Sequence, residues 1–205
     1  MSRCRAIALG TVLSFTLLAP LLFFADSAQA GLLTQLRQAR RDLSAAHTAV
    51  VAARQAYRAA EAADPTATAT NDSLLHKLHV TKAHARSLER RVRRLTVAYR
   101  RQQAYRAAVK RGDWKVVVKA IAAREHISAT GLYRMMGMES GGRASARNGV
   151  YCGLFQYCSS TWHGAWNPWR NASIWSGEAQ IRATARAIHR GYGPSMWPNT
   201  YPAAF

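Results

Sequence analysis

The chain has 205 residues and a strong excess of positive charge, with 29 Lys and Arg against 10 Asp and Glu and a formal net charge of +19. This balance predicts attraction to anions without identifying the anion, and part of it fits a solvated helix face equally well. There are three cysteines, and neither a second cysteine pair nor a histidine cluster lies near Cys152 and Cys158 to complete a ligand set. The composition therefore argues against a metal site, and we expect no cofactor.

Residues 1–30 have the pattern of a secretory signal. Arg3 and Arg5 precede an apolar run from Ile7 to Ala25, and Ala28-Gln29-Ala30 supplies small residues at a cleavage position. An uncleaved membrane anchor is the alternative, because about 19 mostly apolar residues can nearly span a bilayer. In either case we expect a chain outside the cytoplasm, secreted or at the cell wall. Its anionic partners would then be wall polymers, lipid head groups or peptidoglycan carboxylates rather than nucleic acid.

Residues 31–111 predict an antiparallel coiled-coil hairpin. A first seven-residue pattern pairs large apolar residues with alanines: Leu36, Leu43, Val50 and Tyr57 with Ala39, Ala46, Ala53 and Ala60. Asp64-Pro65-Thr66 interrupts it, and the polar stretch to Asp72 predicts a loop. The second pattern comprises Leu74, Leu78, Ala85, Leu88, Val92, Leu95 and Tyr99. We expect either a spacer or an arm that docks on a membrane partner, with the arginines at 90, 91, 93 and 94 facing outward.

Residues 112–205 predict a small, mainly α domain with some β structure and a single core. All six tryptophans lie after residue 113. Helices are predicted from Trp114 to about Glu125, from an N-cap at Ser128 to Glu139-Ser140, and from an N-cap at Ser176 to just before Gly191. Between them we predict a turn at Asn148-Gly149, a short strand over Val150–Tyr157 and a helix start at Ser159-Ser160-Thr161.

Cys152 and Cys158 are an even pair in a chain predicted to be exported, and we therefore expect a disulfide between them. A straight strand would hold their α-carbons roughly 20 Å apart, so the bond requires a bend in residues 153–157. Two free thiols are the alternative.

Glu139 is the best candidate for an acid that does chemistry. Leu132, Met135 and Met136 precede it by seven, four and three residues, which places the carboxyl on the apolar stripe of a helix. Gly141-Gly142 then ends the helix, where the helix dipole disfavours negative charge. Both effects favour the protonated form that a general acid needs. A structural glutamate paired with one of the many arginines is the alternative.

Four short elements of the C-terminal domain follow one another in a specific order. They are Glu139-Ser140-Gly141-Gly142, Asn148-Gly149, Gly153-Leu154-Phe155-Gln156 and Ser160-Thr161-Trp162. Together, over roughly residues 114–190, they resemble the lysozyme-like domain of lytic transglycosylases. The Glu-Ser-Gly-Gly and Asn-Gly-x-Tyr-x-Gly-Leu patterns are also similar to actinobacterial resuscitation-promoting factors. The resemblance implies a lysozyme-like fold and cleavage of the β-1,4 bond between N-acetylmuramic acid (MurNAc) and N-acetylglucosamine (GlcNAc) in peptidoglycan, with Glu139 as the single acid and base.

The resemblance also implies roles for the neighbouring residues. Ser140 would hydrogen-bond near the acid or the substrate, Gln156 would bind an acetamido or hydroxyl group, and Gly153 would let the backbone approach the sugar. The structural alternatives are that Ser140 only caps the helix end and that Gln156 only satisfies buried backbone. Candidates for stacking on sugar rings are Tyr151, Tyr157, Trp162, Tyr192 and Trp197. We expect about two of these in the site, because most aromatic residues of a small domain belong to its core.

The sequence does not distinguish between a transglycosylase and a muramidase reaction. The domain has four acids, Asp113, Glu125, Glu139 and Glu178, and none of the others is predicted to partner Glu139. A lone carboxyl suits a substrate-assisted route in which the sugar's own acetamido group attacks the anomeric carbon. The product would be a 1,6-anhydro end in a transglycosylase or a reducing end in a muramidase.

Two features depart from these families. Longer transglycosylases carry a Tyr-Asn-Ala-Gly segment whose tyrosine lies against the acid, and Tyr192 is the nearest substitute here. Met138 stands where the resuscitation-promoting factors have a cysteine. Two other classes of function therefore stay open: a non-catalytic cell-wall binding protein, and a basic coiled-coil adaptor for a membrane partner.

Overall fold

A computed structural model describes residues 21–205, with side chains from Ala30 onward, and is mainly helical, which confirms the predicted class. Most of the predicted secretory signal, residues 1–20, lies outside the described residues. Across the part described, no helix combines the length and the apolar character needed to cross a membrane. The elements in chain order are α1 (Leu21–Ala63), α2 (Thr68–Arg111), α3 (Trp114–Glu125), α4 (Ala129–Ser140), β1 (Arg147–Asn148), β2 (Tyr151–Cys152), α5 (Ser159–Trp162), α6 (Gly177–His189), α7 (Gly193–Met196) and α8 (Tyr201–Ala204).

The two long helices α1 and α2 are separated where the sequence predicts a break. The Asp64 carboxylate accepts hydrogen bonds from the backbone N–H and the hydroxyl of Thr66, at 2.9 and 2.7 Å, and so closes a tight turn. The break is shorter than predicted, because α2 is already helical at Thr68.

Small and apolar residues of α1 and α2 pack together in the first compact unit of the chain. Their buried cluster comprises Ala46, Ala85 and Leu88, with Leu43 and Val50 packed against it. An antiparallel coiled-coil hairpin over these helices stays a prediction.

The chain divides into two compact units between Tyr99 and Arg100. The last turns of α2 belong to the core of the second unit. Ala108 is fully buried there, and the Tyr105 hydroxyl donates a 2.7 Å hydrogen bond to the Glu178 carboxylate on α6.

Helix α6 is central to the second unit. Nearly all of its length is buried, including Ile181 and Ala185, and α3 packs against both α6 and α4. The other large members of this core are Val117, Leu132, Met135, Met136, Leu154, Phe155, Tyr157 and Trp162. The short helix α8 closes the core against α4.

The main helices of this unit begin and end where local sequence signals predict. The Ser128 hydroxyl accepts a 3.0 Å hydrogen bond from the Gly131 N–H, and the Ser176 hydroxyl accepts one of 3.3 Å from the Ala179 N–H. Helix α4 ends at Gly141, whose φ of +62° is left-handed and therefore favours glycine. Glu139 consequently lies in the last turn of α4.

Two other predictions need correction. The strand predicted over Val150–Tyr157 is only Tyr151–Cys152, paired antiparallel with Arg147–Asn148, because residues 153–156 turn back so that Cys152 pairs with Tyr157. The short helices α7 and α8 were not predicted, since each spans only four residues and has no periodicity to detect.

Candidate active site

A cleft of about 610 Å³ opens beside the end of α4. Four segments line it: the end of α4 with the turn after it, the β1 hairpin, the turn containing Gln156, and the C-terminal segment from Met196 to Thr200. The lining residues are Met138, Glu139, Ser140, Gly141, Arg143, Ala146, Arg147, Asn148, Tyr151, Gln156, Met196, Trp197, Pro198, Asn199 and Thr200. Its volume is in the range of small-ligand sites, and amide, hydroxyl and aromatic groups face it together.

The Glu139 carboxyl is half-buried and faces this cleft. Met135 and Met136, one turn earlier, are buried in the core, so Glu139 lies at the edge of the apolar stripe. The Thr200 hydroxyl donates a 2.5 Å hydrogen bond to Glu139 Oε1. No arginine or lysine among the described residues forms an ion pair with Glu139, which sets it apart from a structural glutamate paired with an arginine.

The other acids of the second unit are placed elsewhere. Glu125 pairs with Arg186 at 3.2 Å, and Glu178 pairs with Arg182 at 2.8 Å. Asp113 precedes α3 and does not line the cleft. Among the side chains that the structure describes, in residues 30–205, Glu139 is therefore the only carboxyl group that lines the cleft.

Ser140 lines the cleft but is only 5% exposed, and its hydroxyl proton is engaged inward. Ser140 Oγ lies 2.9 Å from the Leu154 carbonyl oxygen and 3.1 Å from that of Met136. The first contact joins the end of α4 to the segment that carries Gln156. Ser140 thus positions the two sides of the cleft relative to each other.

Gln156 lines the cleft from a strained backbone position. Its φ of +52° lies in the left-handed region, which costs a residue with a side chain roughly 1–2 kcal/mol. The side-chain Nε2 donates a 2.8 Å hydrogen bond to the Gly153 carbonyl, so the amide helps to close its own turn. The second N–H and the amide oxygen have no partner in the described part of the chain.

Gly153 is required by packing and does not line the cleft, which corrects its predicted role beside the sugar. Its φ is +77°, and a Cβ added there would lie 1.8 Å from Gln180 Nε2. The buried Gln180 side chain accepts a hydrogen bond from the Phe155 N–H at 3.0 Å and donates to the carbonyls of Cys152 and Ile174. A glycine is needed because this amide occupies the space of a side chain.

The aromatic candidates divide between the cleft and the core. Tyr151 is 49% exposed and lines the cleft, as does the edge of the largely buried Trp197. Tyr157 and Trp162 were predicted as sugar-stacking candidates, but both are core residues. The Tyr157 hydroxyl bonds Thr184 at 2.9 Å, and Trp162 Nε1 donates to the Ala172 carbonyl at 2.9 Å. Tyr192 is exposed and lies outside the cleft lining.

Cys152 and Cys158 are free thiols, in contrast to the predicted disulfide. The necessary bend is present, but the residue that pairs with Cys152 is Tyr157. Side chains of successive residues leave an extended chain on opposite sides, so Cys158 points away. Its Sγ instead contacts the hydroxyls of Ser160 at 3.3 Å and Thr161 at 3.1 Å. These hydrogen bonds, the one with Ser160 foremost, lower the pKa of the Cys158 thiol to about 7.

Several cleft residues were missed by sequence reasoning. Arg143 and Arg147 were counted only as part of the positive charge, and Met196, Pro198, Asn199 and Thr200 belong to no motif. The Thr200 contact in particular spans 61 positions of the chain, and no local signal could have revealed it. In the part of the chain that the structure describes, no group of three or more His, Cys, Asp or Glu side chains could hold a metal ion.

Comparisons with protein-family models, with curated proteins and with solved structures found no match to this chain. The function must therefore be inferred from the site itself.

Replacing Gly153 by Ala is expected to destabilise the second unit by about 3 kcal/mol, because the new Cβ displaces Gln180 and leaves buried hydrogen-bonding groups without partners. Chemical denaturation measures the change. The matched control is Gly137→Ala, since an added Cβ on this exposed helical glycine meets nothing. That control should gain roughly 0.5–1 kcal/mol. Equal stability of the two variants would contradict the packing role of Gly153.

Alkylation of Cys158 is expected to follow a titration centred near pH 7, because only the thiolate reacts. The rate of modification by iodoacetamide would be measured against pH in a Cys152→Ser background. Adding Ser160→Ala removes the largest stabilising hydrogen bond and should move the midpoint to higher pH. A midpoint at or above about 8.5 without that second substitution would show an ordinary thiol.

Proposed function

We propose that this protein cleaves the β-1,4 glycosidic bond between MurNAc and GlcNAc in peptidoglycan, with Glu139 as its single general acid and base. The observation that carries the proposal is the position of Glu139: within residues 30–205 it is the only carboxyl lining a cleft whose other walls offer amides, hydroxyls and aromatic edges. Such a lining suits an N-acetylated sugar chain, which presents acetamido groups, hydroxyls and apolar ring faces. The identity of the bond comes from the resemblance of the Glu139-Ser140-Gly141-Gly142 and Gly153–Gln156 segments to lytic transglycosylases.

In the first step the protonated Glu139 carboxyl donates its proton to the glycosidic oxygen while the bond to the anomeric carbon breaks. Because the described residues place no second carboxyl in the cleft, the acetamido oxygen of the same sugar attacks that carbon and forms a cyclic oxazolinium intermediate. Thr200 engages Oε1 of the carboxyl. The other oxygen, Oε2, has no partner among the described residues and is the one available for proton transfer.

In the second step the Glu139 carboxylate acts as the base. It removes a proton from the muramyl C6 hydroxyl, whose oxygen attacks the anomeric carbon, releases the acetamido group and gives a 1,6-anhydro end. Removal of a proton from water in its place gives a reducing end. The first product defines a lytic transglycosylase and the second a muramidase, and the two differ in mass by one water molecule.

The other residues of the cleft either have groups free to contact the sugar or hold the site in position. The free N–H and oxygen of the Gln156 amide suit an acetamido or hydroxyl group of the sugar, and exposed Tyr151 suits a sugar face. Asn148 and Asn199 add further amides to the lining. Ser140 acts through positioning, because its hydroxyl joins α4 to the Gln156 segment.

The proposed function also implies an architecture and a cellular location for the chain. Residues 112–205, together with the end of α2, would form a lysozyme-like domain, and α1 and α2 an antiparallel coiled-coil hairpin. Contacts such as Ala46 with Ala85 and Leu88, and His47 with Glu89 at 3.1 Å, support the hairpin. Its 17 basic and 5 acidic side chains over residues 31–111 suit anionic wall polymers or a membrane partner. Export through residues 1–30 would place the protein at the cell wall.

Glu139→Gln is expected to lower the release of soluble fragments from purified peptidoglycan by about 100-fold or more, because proton transfer is lost while the shape of the side chain is kept. Mass spectrometry of the products measures release and distinguishes anhydro from reducing ends. Glu125→Gln is the matched control, since Glu125 pairs with Arg186 outside the cleft. Unchanged release from Glu139→Gln would exclude Glu139 as the acid, and no release by the unaltered chain above a protein-free blank would favour a non-catalytic wall-binding protein.

Thr200→Val is expected to reduce kcat by about tenfold with little change in KM, because it removes the hydrogen bond that orients the carboxyl and keeps the shape of the side chain. Thr200→Ser retains the hydroxyl and should recover most of the rate. Steady-state kinetics on a defined peptidoglycan oligosaccharide measure both constants. A loss confined to KM, or no recovery in the serine variant, would show that Thr200 does not act through Glu139.

A further inference from the structure

Two arginines that the proposed mechanism does not use line the cleft. Arg143 lies in the turn after α4, and Arg147 begins the β1 hairpin. Neither forms an ion pair with any carboxylate that the structure describes, in residues 30–205. They differ in this from Arg182 and Arg186 on α6, which are paired with Glu178 and Glu125.

Both side chains are held by their Nε atoms. Arg143 Nε donates to the Ser140 carbonyl at 3.3 Å, and Arg147 Nε donates to the Gly149 carbonyl at 3.3 Å. The terminal nitrogens of each guanidinium have no partner in the described part of the chain. A guanidinium anchored in this way loses less side-chain conformational entropy when it binds a ligand. Its planar pair of terminal N–H donors suits a carboxylate or another oxyanion.

The net charge of the cleft also favours a ligand that carries negative charge. Glu139 is the only acid lining it among residues 30–205, so the two arginines give these described residues a net positive charge whether or not the carboxyl is protonated. A neutral glycan covering the cleft would desolvate two cations without supplying a charge to pair with them, which is unfavourable. A glycan that carries carboxylates can form ion pairs with the two arginines and so offset this desolvation penalty.

From these contacts we infer that Arg143 and Arg147 select glycan strands that carry ionised carboxylates over neutral strands of the same length. The inference rests on the proposed function and names the substrate class of the same site. In peptidoglycan the carboxylates come from the lactyl group of MurNAc where it bears no peptide, and from the stem peptide where it does. Arginine recognises both through the same chemistry.

The test uses the full chain with Glu139→Gln, which blocks turnover, and measures binding by calorimetry. The probes are a peptidoglycan tetrasaccharide with free lactyl carboxylates, one with stem peptides, and the same two with every carboxylate converted to an amide. Each pair keeps its size and differs in charge. The acid forms are expected to bind about tenfold more tightly than their amides, and added salt should weaken this difference. The source that is recognised is the one whose pair shows the larger ratio.

Arg143→Gln with Arg147→Gln should bring each acid and amide pair to within about twofold. Arg170→Gln with Arg190→Gln is the charge-matched control, since both arginines are exposed in the same unit and lie outside the cleft. This control should keep the full discrimination. If the glutamine pair does not fold, Arg143→Lys with Arg147→Lys replaces it and should weaken the acid forms at least threefold, because lysine keeps the charge but not the paired donors.

Equal affinity for acid and amide, or discrimination that survives in the cleft variants, would overturn the inference. If release of fragments by the unaltered chain accompanies that result, the enzyme proposal stands alone. If the acid forms are preferred but the unaltered chain releases nothing, the anion selectivity stands and the enzyme proposal fails. Absence of binding to all four probes would overturn both.

Discussion

The buried amide of Gln180 is the interaction on which the geometry of the cleft depends. From the central helix α6 it accepts a hydrogen bond from the Phe155 N–H and donates to the carbonyls of Cys152 and Ile174. These contacts hold residues 152–156 in a turn that leaves no room for a side chain at Gly153. A buried polar group of this kind stabilises only one arrangement, because any other leaves its donors and acceptors unpaired. The position of Gln156 follows from it.

A second contact connects this turn to the candidate acid. Ser140 is adjacent to Glu139, and its buried hydroxyl lies 2.9 Å from the Leu154 carbonyl. The end of α4 and the Gln156 turn are therefore fixed relative to each other through the backbone on both sides. Precise placement of groups on rigid elements is what catalysis by proton transfer requires. The strained φ of Gln156 is tolerated because the surrounding hydrogen bonds determine it.

The C-terminal segment completes the cleft and gives the acid its hydrogen-bond partner. Trp197 Nε1 donates to the Phe155 carbonyl at 3.0 Å, and this contact brings the chain back beside the Gln156 turn. Thr200 follows three residues later and reaches the Glu139 carboxyl. Under the proposed function this hydrogen bond orients the acid. Tyr192, the substitute expected from the sequence, lies outside the cleft lining.

The sequence by itself determined local structure, in particular where helices begin and end. The hydroxyls of Ser128 and Ser176 and the left-handed glycines at 141 and 191 bounded α4 and α6 correctly, because caps and turns involve residues only a few positions apart. The same local signals placed Glu139 at a helix end beside buried methionines.

Only the tertiary structure decided which side chains share the cleft. Tyr157 and Trp162 lie in the core while Tyr151 is exposed, although all three were equal candidates from the sequence. The difference arises because burial depends on which other residues pack against a side chain. The cysteines stay unpaired because the turn opposes Cys152 to Tyr157 rather than Cys158. Arg143, Arg147 and Thr200 became part of one site because segments far apart in the chain meet there, and such contacts depend on the packing of the whole unit.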